Sequence, residues 1–282
     1  MQRRKFLQNL SASMLLLMAN GSIRSVQASP LDATGYNGHP AQDNRFRFAI
    51  TSDGHYGQPN TPFAENFNLI TASINSFHTA SPLQFCIVNG DIIHDNPAFL
   101  EPAAAALKAI KPPFYVTKGN HDMVSEARWK EVWNMPVNHT VEMGDNVLLL
   151  GTTADEKGKY LAPDTDWFRQ QLKQYKSAKN IFIFIHITPV KWTKHAVDGK
   201  DFQQLLRDSS NVRAVFNGHD HDQDGVKMMG NIPFLFDGHF GGNWGTAYKG
   251  FRVVELLEDN SLLTYIMNPL EKMSELNIYN SL

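Results

Sequence analysis

Five short segments of this chain end an apolar run on residues able to ligate a metal: Ser52-Asp53-Gly54-His55, Asn89-Gly90-Asp91, Lys118-Gly119-Asn120-His121-Asp122, His186, and Asn217-Gly218-His219-Asp220-His221. Carboxylate, imidazole and carboxamide oxygen without thiolate suit Mn, Fe or Zn, and disfavour a closed structural zinc site built from four Cys or His ligands. Two residues spaced i, i+2 in an extended or turn segment can face one cavity. That spacing joins Asp53 to His55 and His219 to His221. A single Asp-x-His in a loop is more often a hydrogen-bonded turn than a metal site. Five such segments, each after a strand-like run, carry enough donors for two ions.

The segments must be held by strands, and the apolar runs supply them. Strands are expected over 46–51, 84–88, 114–117, 147–151, 181–185 and 212–216, because apolar stretches of four to six residues there stop at Gly, Asp, Asn or His. Between them, helical spacing appears at 62–77 (Phe63, Phe67, Ile70, Ile74), 98–110, 126–132, 164–175 and 202–208. Ser125 before Glu126 is a helix N-cap signal, and Lys111-Pro112-Pro113 cannot continue a helix. Polar residues at the carboxyl ends of such strands are where open α/β sheets bind ligands. After His221 the pattern changes to short strands at 226–229, 233–236, 251–257 and 262–267 with no helix between them, a meander expected to form an antiparallel edge or a second sheet. Repeats, low-complexity tracts and linkers are absent, so one domain is expected over 45–282.

The 282 residues are 42% hydrophobic and 19% charged, as in packed globular chains. One cysteine, Cys86, excludes an intrachain disulfide, and its apolar neighbours make it a core thiol. Residues 1–28 read as an address: Arg3, Arg4 and Lys5 make a basic start, Met14 to Met18 an apolar core, and Val26-Gln27-Ala28 a small-residue cleavage site. The apolar core is shorter than the roughly 20 residues a membrane span needs, so no stable insertion is expected once the address is cut. Gln2-Arg3-Arg4-Lys5-Phe6-Leu7 resembles the twin-arginine export signal, although Gln2 and Gln8 depart from its usual residues and leave the general secretory route open. Either route makes the chain periplasmic or secreted. Residues 29–44 have turn composition and read as an N-terminal arm. Cleavage removes four positive charges and no acid, which takes the formal charge from −2 to −2 − 4 = −6. A nucleic-acid polymer is therefore not an expected partner.

The order Asp53-x-His55, Gly90-Asp91, Gly119-Asn120-His121-Asp122, His186 and Gly218-His219-x-His221 resembles the calcineurin-like metallophosphoesterases over about 48–239. The resemblance implies an α/β (α+β) fold, an αββα sandwich of two face-to-face mixed sheets flanked by helices in a single domain, with a dinuclear metal centre at one end. It implies Asp53, His55, Asp91 and His221 on the first ion, and Asp91, Asn120, His186 and His219 on the second, with Asp91 bridging. Two divalent ions bring four positive charges against two carboxylates, a local surplus that draws phosphate to an acidic chain. Such a pair can supply hydroxide as the nucleophile near neutral pH. His121 belongs to the pattern without being needed as a ligand, which makes it the candidate to protonate the leaving alkoxide. Asp122 would orient a neighbour, and Asn120, His121 and His239 are candidates to touch the substrate.

Two departures refine the resemblance. Pro189 stands three residues after His186, where the family often has it two after. His94 stands where purple acid phosphatases carry an iron-binding Tyr, so that subgroup is not expected. The Gly-Asp-x-x-x-Asp form of Asp91 and Asp95 looks more like the bacterial cyclic-nucleotide and glycerophosphodiester phosphodiesterases. The expected function is thus an exported phosphoesterase with two divalent or trivalent ions (Mn, Fe or Zn), acting on a small organic phosphate, most readily a diester. The alternatives are a phosphomonoesterase on the same site or a non-catalytic metal- or phosphate-binding protein. His39, His78, His139 and His195 fit no block and are expected as surface or structural residues. His239, Trp192 and Trp244 fall in loops that could line the pocket.

Overall fold

The computed structural model describes residues 13–17, 23–27, 45–268 and 271–278. At one end of the first sheet three parallel strands, β3 (Phe46–Thr51), β4 (Phe85–Asn89) and β5 (Phe114–Thr117), alternate with helices α1 (Phe63–Ala80), α2 (Leu100–Leu107) and α3 (Glu126–Trp133). A second set repeats the plan: β7 (Asn146–Gly151), α4 (Thr165–Gln174), β8 (Asn180–Ile185), α5 (Lys200–Arg207) and β9 (Val212–Asn217), again with parallel strands. Helix starts follow local chemistry. The Ser125 hydroxyl accepts from Arg128 N at 3.2 Å to begin α3, and Asp164 accepts from Trp167 N at 3.0 Å to begin α4. Asn134 closes α3 in the left-handed conformation.

The parallel strands are buried on both faces, which is why their sequences read as continuous apolar runs rather than alternating ones. In β3, Phe48 and Ile50 point between the sheets, where they meet Phe85, Ile87, Leu148, Leu150, Phe182, Phe184 and Phe216. Ala49, one residue away, points outward with Cys86 and Val88 to meet Phe67, Ile70 and Ile74 of α1 and the buried side of α2. On the far side Leu149, Ile183 and Val215 receive Phe168, Leu172, Phe202 and Leu206 from α4 and α5. The molecule is therefore helix, sheet, sheet, helix, as expected. Phe48 stacks on Phe85 with ring centroids 4.6 Å apart, and Phe48→Ala at this fully buried position would cost about 3–5 kcal/mol. Burial pushes the Cys86 thiol up to about 12, as befits a core residue.

The strands after His221 do not form one meander. β10 (Val226–Met229) and β11 (Ile232–Phe236) make an antiparallel hairpin, and β11 then pairs in parallel with β9 at one edge of the second sheet. The next strands, β12 (Phe251–Leu256) and β13 (Leu262–Asn268), cross back to the first sheet, where β12 lies antiparallel to β3. Short apolar strands carry no label saying which sheet they join; partner registry decides. Four strands were not expected, among them β6 (His139–Met143), which edges the second sheet beside β7, and β14 (Glu271–Ile278) beside β13. Within the stretch read as an export address, β1 (Ser13–Leu17) and β2 (Ile23–Gln27) extend the first sheet beyond β14, far across the sheet from β5. The basic residues 3–5, His39 and the arm through residue 44 lie outside the described residues. No helix among the described residues is long and apolar enough to cross a membrane.

Candidate metal centre

Both sheets end together at the carboxyl ends of β3, β4, β5, β8 and β9, and all five ligand-bearing segments leave there. Their turns use left-handed backbone at residues other than glycine: Asp53 (φ 57), His55 (φ 47), Asp91 (φ 51) and His219 (φ 68). Such conformations are costly for an L side chain and cluster at functional sites. Gly90 (φ 83) provides the turn that delivers Asp91. Gly119 is required for closeness: a Cβ there would lie 2.3 Å from Asp91 Oδ1 and 2.4 Å from Asp91 N.

Two fully buried groups of donors converge. Asp53, His55 and His221 form one, and Asp91, His186 and His219 the other, while a third, half-buried group joins His55 to His94 and His121, each with ligating atoms within 4.8 Å of one another. Within the first, His221 Nε2 is 3.1 Å from Asp53 Oδ1 and 3.1 Å from His55 Nε2. Within the second, His186 Nε2 is 3.1 Å from Asp91 Oδ2. The carboxylates also reach across: Asp91 Oδ2 is 3.9 Å from His55 Nε2, and Asp53 Oδ1 is 3.7 Å from His186 Nε2. Asp91 Oδ1 accepts from His121 N at 2.8 Å, while Asp53 accepts from His219 N at 3.0 Å and from the Ser52 hydroxyl at 2.5 Å.

The imidazoles are oriented from behind. His186 Nδ1–H donates to Asn89 O at 2.7 Å and His221 Nδ1–H to Trp244 O at 3.2 Å, which leaves each Nε2 lone pair directed at the site. His55 Nδ1 meets His94 Nδ1 at 3.1 Å. Burial pushes His55 down to about 3 and His219 down to about 4, so both rings are neutral and able to ligate. Burial acts on His186 in the same sense, but Asp91 and Asp53 outweigh it and raise this ring to about 10. Burial likewise opposes ionisation of Asp53, yet His221 and His186 hold its carboxyl well below the usual range. A bound cation would replace the proton that these carboxylates now hold on His186.

Asn120 Oδ1 and His219 Nε2 are buried with no hydrogen-bond partner, and His186 Nε2 has only the Asp91 carboxylate beside it. Unsatisfied buried polar atoms are costly, and the first two belong to the second group. Together with the all N and O donor set, they fit a divalent or trivalent ion in each group.

Other expected residues fall in different places. The His121 ring is 32% exposed at the mouth, and its Nδ1–H donates to Asp95 Oδ1 at 2.7 Å. Asp122 is fully buried and does not face the mouth; it accepts from Ile93 N at 2.9 Å and Gly119 N at 2.8 Å, strapping the second segment to the third. His239 is 2% exposed, with Nδ1 2.7 Å from Gly241 O and Nε2 3.3 Å from Thr246 O, so it braces its own loop from beneath His221. His195, expected at the surface or in a structural role, stands edge-on to His219 at 5.9 Å. His78 accepts from Leu83 N and His139 contacts Pro136 O, both away from the site.

Of the residues that wall the site, Tyr160 has no signal in the sequence, whereas His94 and Trp244 are singled out there. His94 stacks on His121 at 4.8 Å, Tyr160 meets His219 edge-on at 4.9 Å, and Trp244 lies flat on His221 at 4.2 Å. Only the Gly-Asp-x-x-x-Asp spacing hinted at Asp95.

Residues 46–223 match the sequence model of the calcineurin-like phosphoesterases. A probable cyclic nucleotide phosphodiesterase of Psychrobacter arcticus is 26% identical over 157 residues, 49% of this chain and 56% of that protein. The chain thus aligns with a little over half the length of this curated relative. Among solved structures, a dimetal phosphatase from Danio rerio superposes with a TM-score of 0.66 at 14% identity, over 84% of this chain and 99% of that one. A purple acid phosphatase from yellow lupin gives 0.63 at 13% identity, over 93% and 58%. At such identities the likeness concerns the fold.

Proposed function

Because this chain belongs to the calcineurin-like phosphoesterase family and is thereby a metal-dependent hydrolase of small phosphate esters, we propose that its substrate is a phosphodiester and that it works outside the cytoplasm. The observation that carries the catalytic reading is the meeting of two donor groups at Asp91, with Asn120 Oδ1 and His219 Nε2 buried and unpaired. A binding protein that had lost catalysis would be expected to lack a ligand or the exposed imidazole, and this chain keeps both. The diester preference is supported by the similarity to a probable cyclic nucleotide phosphodiesterase and by the Asp91 and Asp95 spacing.

Asp53, His55 and His221 would hold one ion and Asn120, His186 and His219 the other, with Asp91 shared; Mn, Fe and Zn suit these donors. Bound there, the pair supplies Lewis acidity and an activated water. The chain supplies the rest. Asp53 and Asp91 offset only part of the positive charge, so the pocket draws the phosphate. Asp95 accepts from His121 Nδ1–H and so favours the doubly protonated ring, whose Nε2–H would pass its proton to the departing oxygen and leave the neutral Nδ1–H tautomer behind. Asp122 keeps Gly119 and Ile93 in place, and with them the backbone that carries Asn120 and Asp91.

Turnover of bis(p-nitrophenyl) phosphate against p-nitrophenyl phosphate, by chelated and Mn²⁺-reloaded protein, tests this reading. Metal-dependent activity with the higher kcat/KM on the diester is expected. A higher value on the monoester would make the protein a phosphomonoesterase, and no metal-dependent turnover would overturn the catalytic reading. For export, exchanging Arg3 and Arg4 together for Lys should stop accumulation outside the cytoplasm, since the twin-arginine pathway reads the arginines themselves. Unchanged export would assign the general secretory route.

A further inference from the structure

Beside the two donor groups lies a groove of about 250 Å³, walled by the loops that carry Trp192 and His195 on one side and Trp244 on the other, with Asp220 at its base and Lys227 on its rim. Three rings stack toward it. His239 lies on His221 at 4.9 Å and 17°, and His221 lies on Trp244 at 4.2 Å and 3°. Trp244 remains 47% exposed. One face of its indole covers a ligand of the first group, and the ring lines the groove. Trp192 cannot shift freely, being set edge-on against Phe234 at 5.3 Å.

Asp220 adds a second, independent requirement. It is 4% exposed, and its Oδ2 is buried with only the Thr193 hydroxyl near it, at a geometry that leaves both atoms without a sound hydrogen bond. An aliphatic group in the groove would leave that oxygen unpaired, at a cost. A planar heterocycle carrying N–H groups would satisfy both the indole face and the carboxylate.

We propose that this groove binds the nucleobase of the substrate, stacked on Trp244 and donating an N–H to Asp220, so that the ester hydrolysed is a nucleoside phosphodiester. This rests on the phosphodiesterase reading above and names its substrate class. Stacking on aromatic side chains tolerates different bases, and Asp220 favours those presenting an N–H donor.

The test compares the metal-loaded full chain with its Trp244→Ala and Trp244→Phe variants on 3′,5′-cyclic AMP, 3′,5′-cyclic GMP and glycerophosphoethanolamine, a diester with no aromatic group. The His221 contact to the Trp244 carbonyl is backbone and survives both exchanges; metal content checks that it does. Trp244→Ala should raise KM for the cyclic nucleotides relative to the aromatic-free diester by about 5- to 150-fold, the usual worth of one base stack. Trp244→Phe should recover part of that ratio. A parallel measurement needs no catalysis: adenosine and guanosine should quench the tryptophan fluorescence of the metal-free chain saturably, and Trp244→Ala should abolish the effect. An unchanged KM ratio, or nucleosides that do not quench, would overturn the assignment. If none of the esters is turned over, the phosphodiesterase reading fails, and nucleoside quenching alone then decides whether the groove takes a base.

Discussion

Asp122→Ala removes a carboxylate that no solvent reaches and strands two backbone donors, Ile93 N and Gly119 N, now 2.9 and 2.8 Å from its oxygens. Each orphaned buried donor costs about 1–3 kcal/mol, so the pair costs about 2–6. Part of this is returned. Burial and the neighbouring Asp91 push the Asp122 carboxyl up to about 7, and removing a group held so unfavourably returns part of the cost, which leaves about 1–4 kcal/mol net. For a domain of this size the melting temperature should fall by roughly 2–16 °C, at about 2–4 °C per kcal/mol. Asp122→Asn keeps one acceptor and should lose about half as much. Calorimetry or circular dichroism of the metal-free chain at pH 6, where the native carboxyl is mostly neutral, measures the effect without contribution from bound ions. A melting point unchanged for Asp122→Ala would mean that the two N–H groups find other partners. The strap between the segments would then not be what holds Asn120 and Asp91 in place.

Asp91→Asn should deplete both ions, because an amide bridges two cations poorly, whereas Asp53→Asn should deplete chiefly one; metal analysis of purified variants checks this, and equal loss from both would refute the sharing of Asp91. His121→Ala should keep near-normal metal content and lower kcat about 10²–10⁴-fold, less on a p-nitrophenyl ester than on an alkyl ester, whose poorer leaving group needs the proton more. Equal loss on both esters would give His121 a phosphate-binding role instead. Asp95→Asn should reproduce part of the His121→Ala loss on alkyl esters, since it weakens the 2.7 Å bond that fixes the ring; full activity would free His121 from that dependence.

The five ligand segments were legible because each marks an abrupt end to an apolar run. A strand buried on both faces cannot admit Asp or His until it emerges, so Asp53, Asp91, Asn120, His186 and His219 announce the sheet edge. Strand and helix alternation through β9 marked the α/β units, while the two-sheet sandwich was an implication of the family resemblance. What stayed hidden depends on contacts between distant residues. Nothing in Phe251–Leu256 says that it returns to lie beside β3, because a short apolar strand fits either sheet. His239 and Trp244 sit in similar glycine-rich surroundings, yet one is locked between two carbonyls and the other faces open space. Asp122 looked like a site residue by its neighbours in sequence, and only its partners Ile93 and Gly119 show it turned inward.

Each donor group draws on both sheets: Asp53 and His55 follow β3 while His221 follows β9, and Asp91 follows β4 while His186 follows β8. Neither group exists until residues as far along the chain as 221 have emerged and the sheets have closed on Phe48 and Phe184. Metal capture would thereby follow the closing of the two sheets, and the ions that fill the centre would be drawn from the compartment in which the chain folds. A chain exported already folded would carry a cytoplasmic choice of metal with it, and one threaded across unfolded would take its ions from outside.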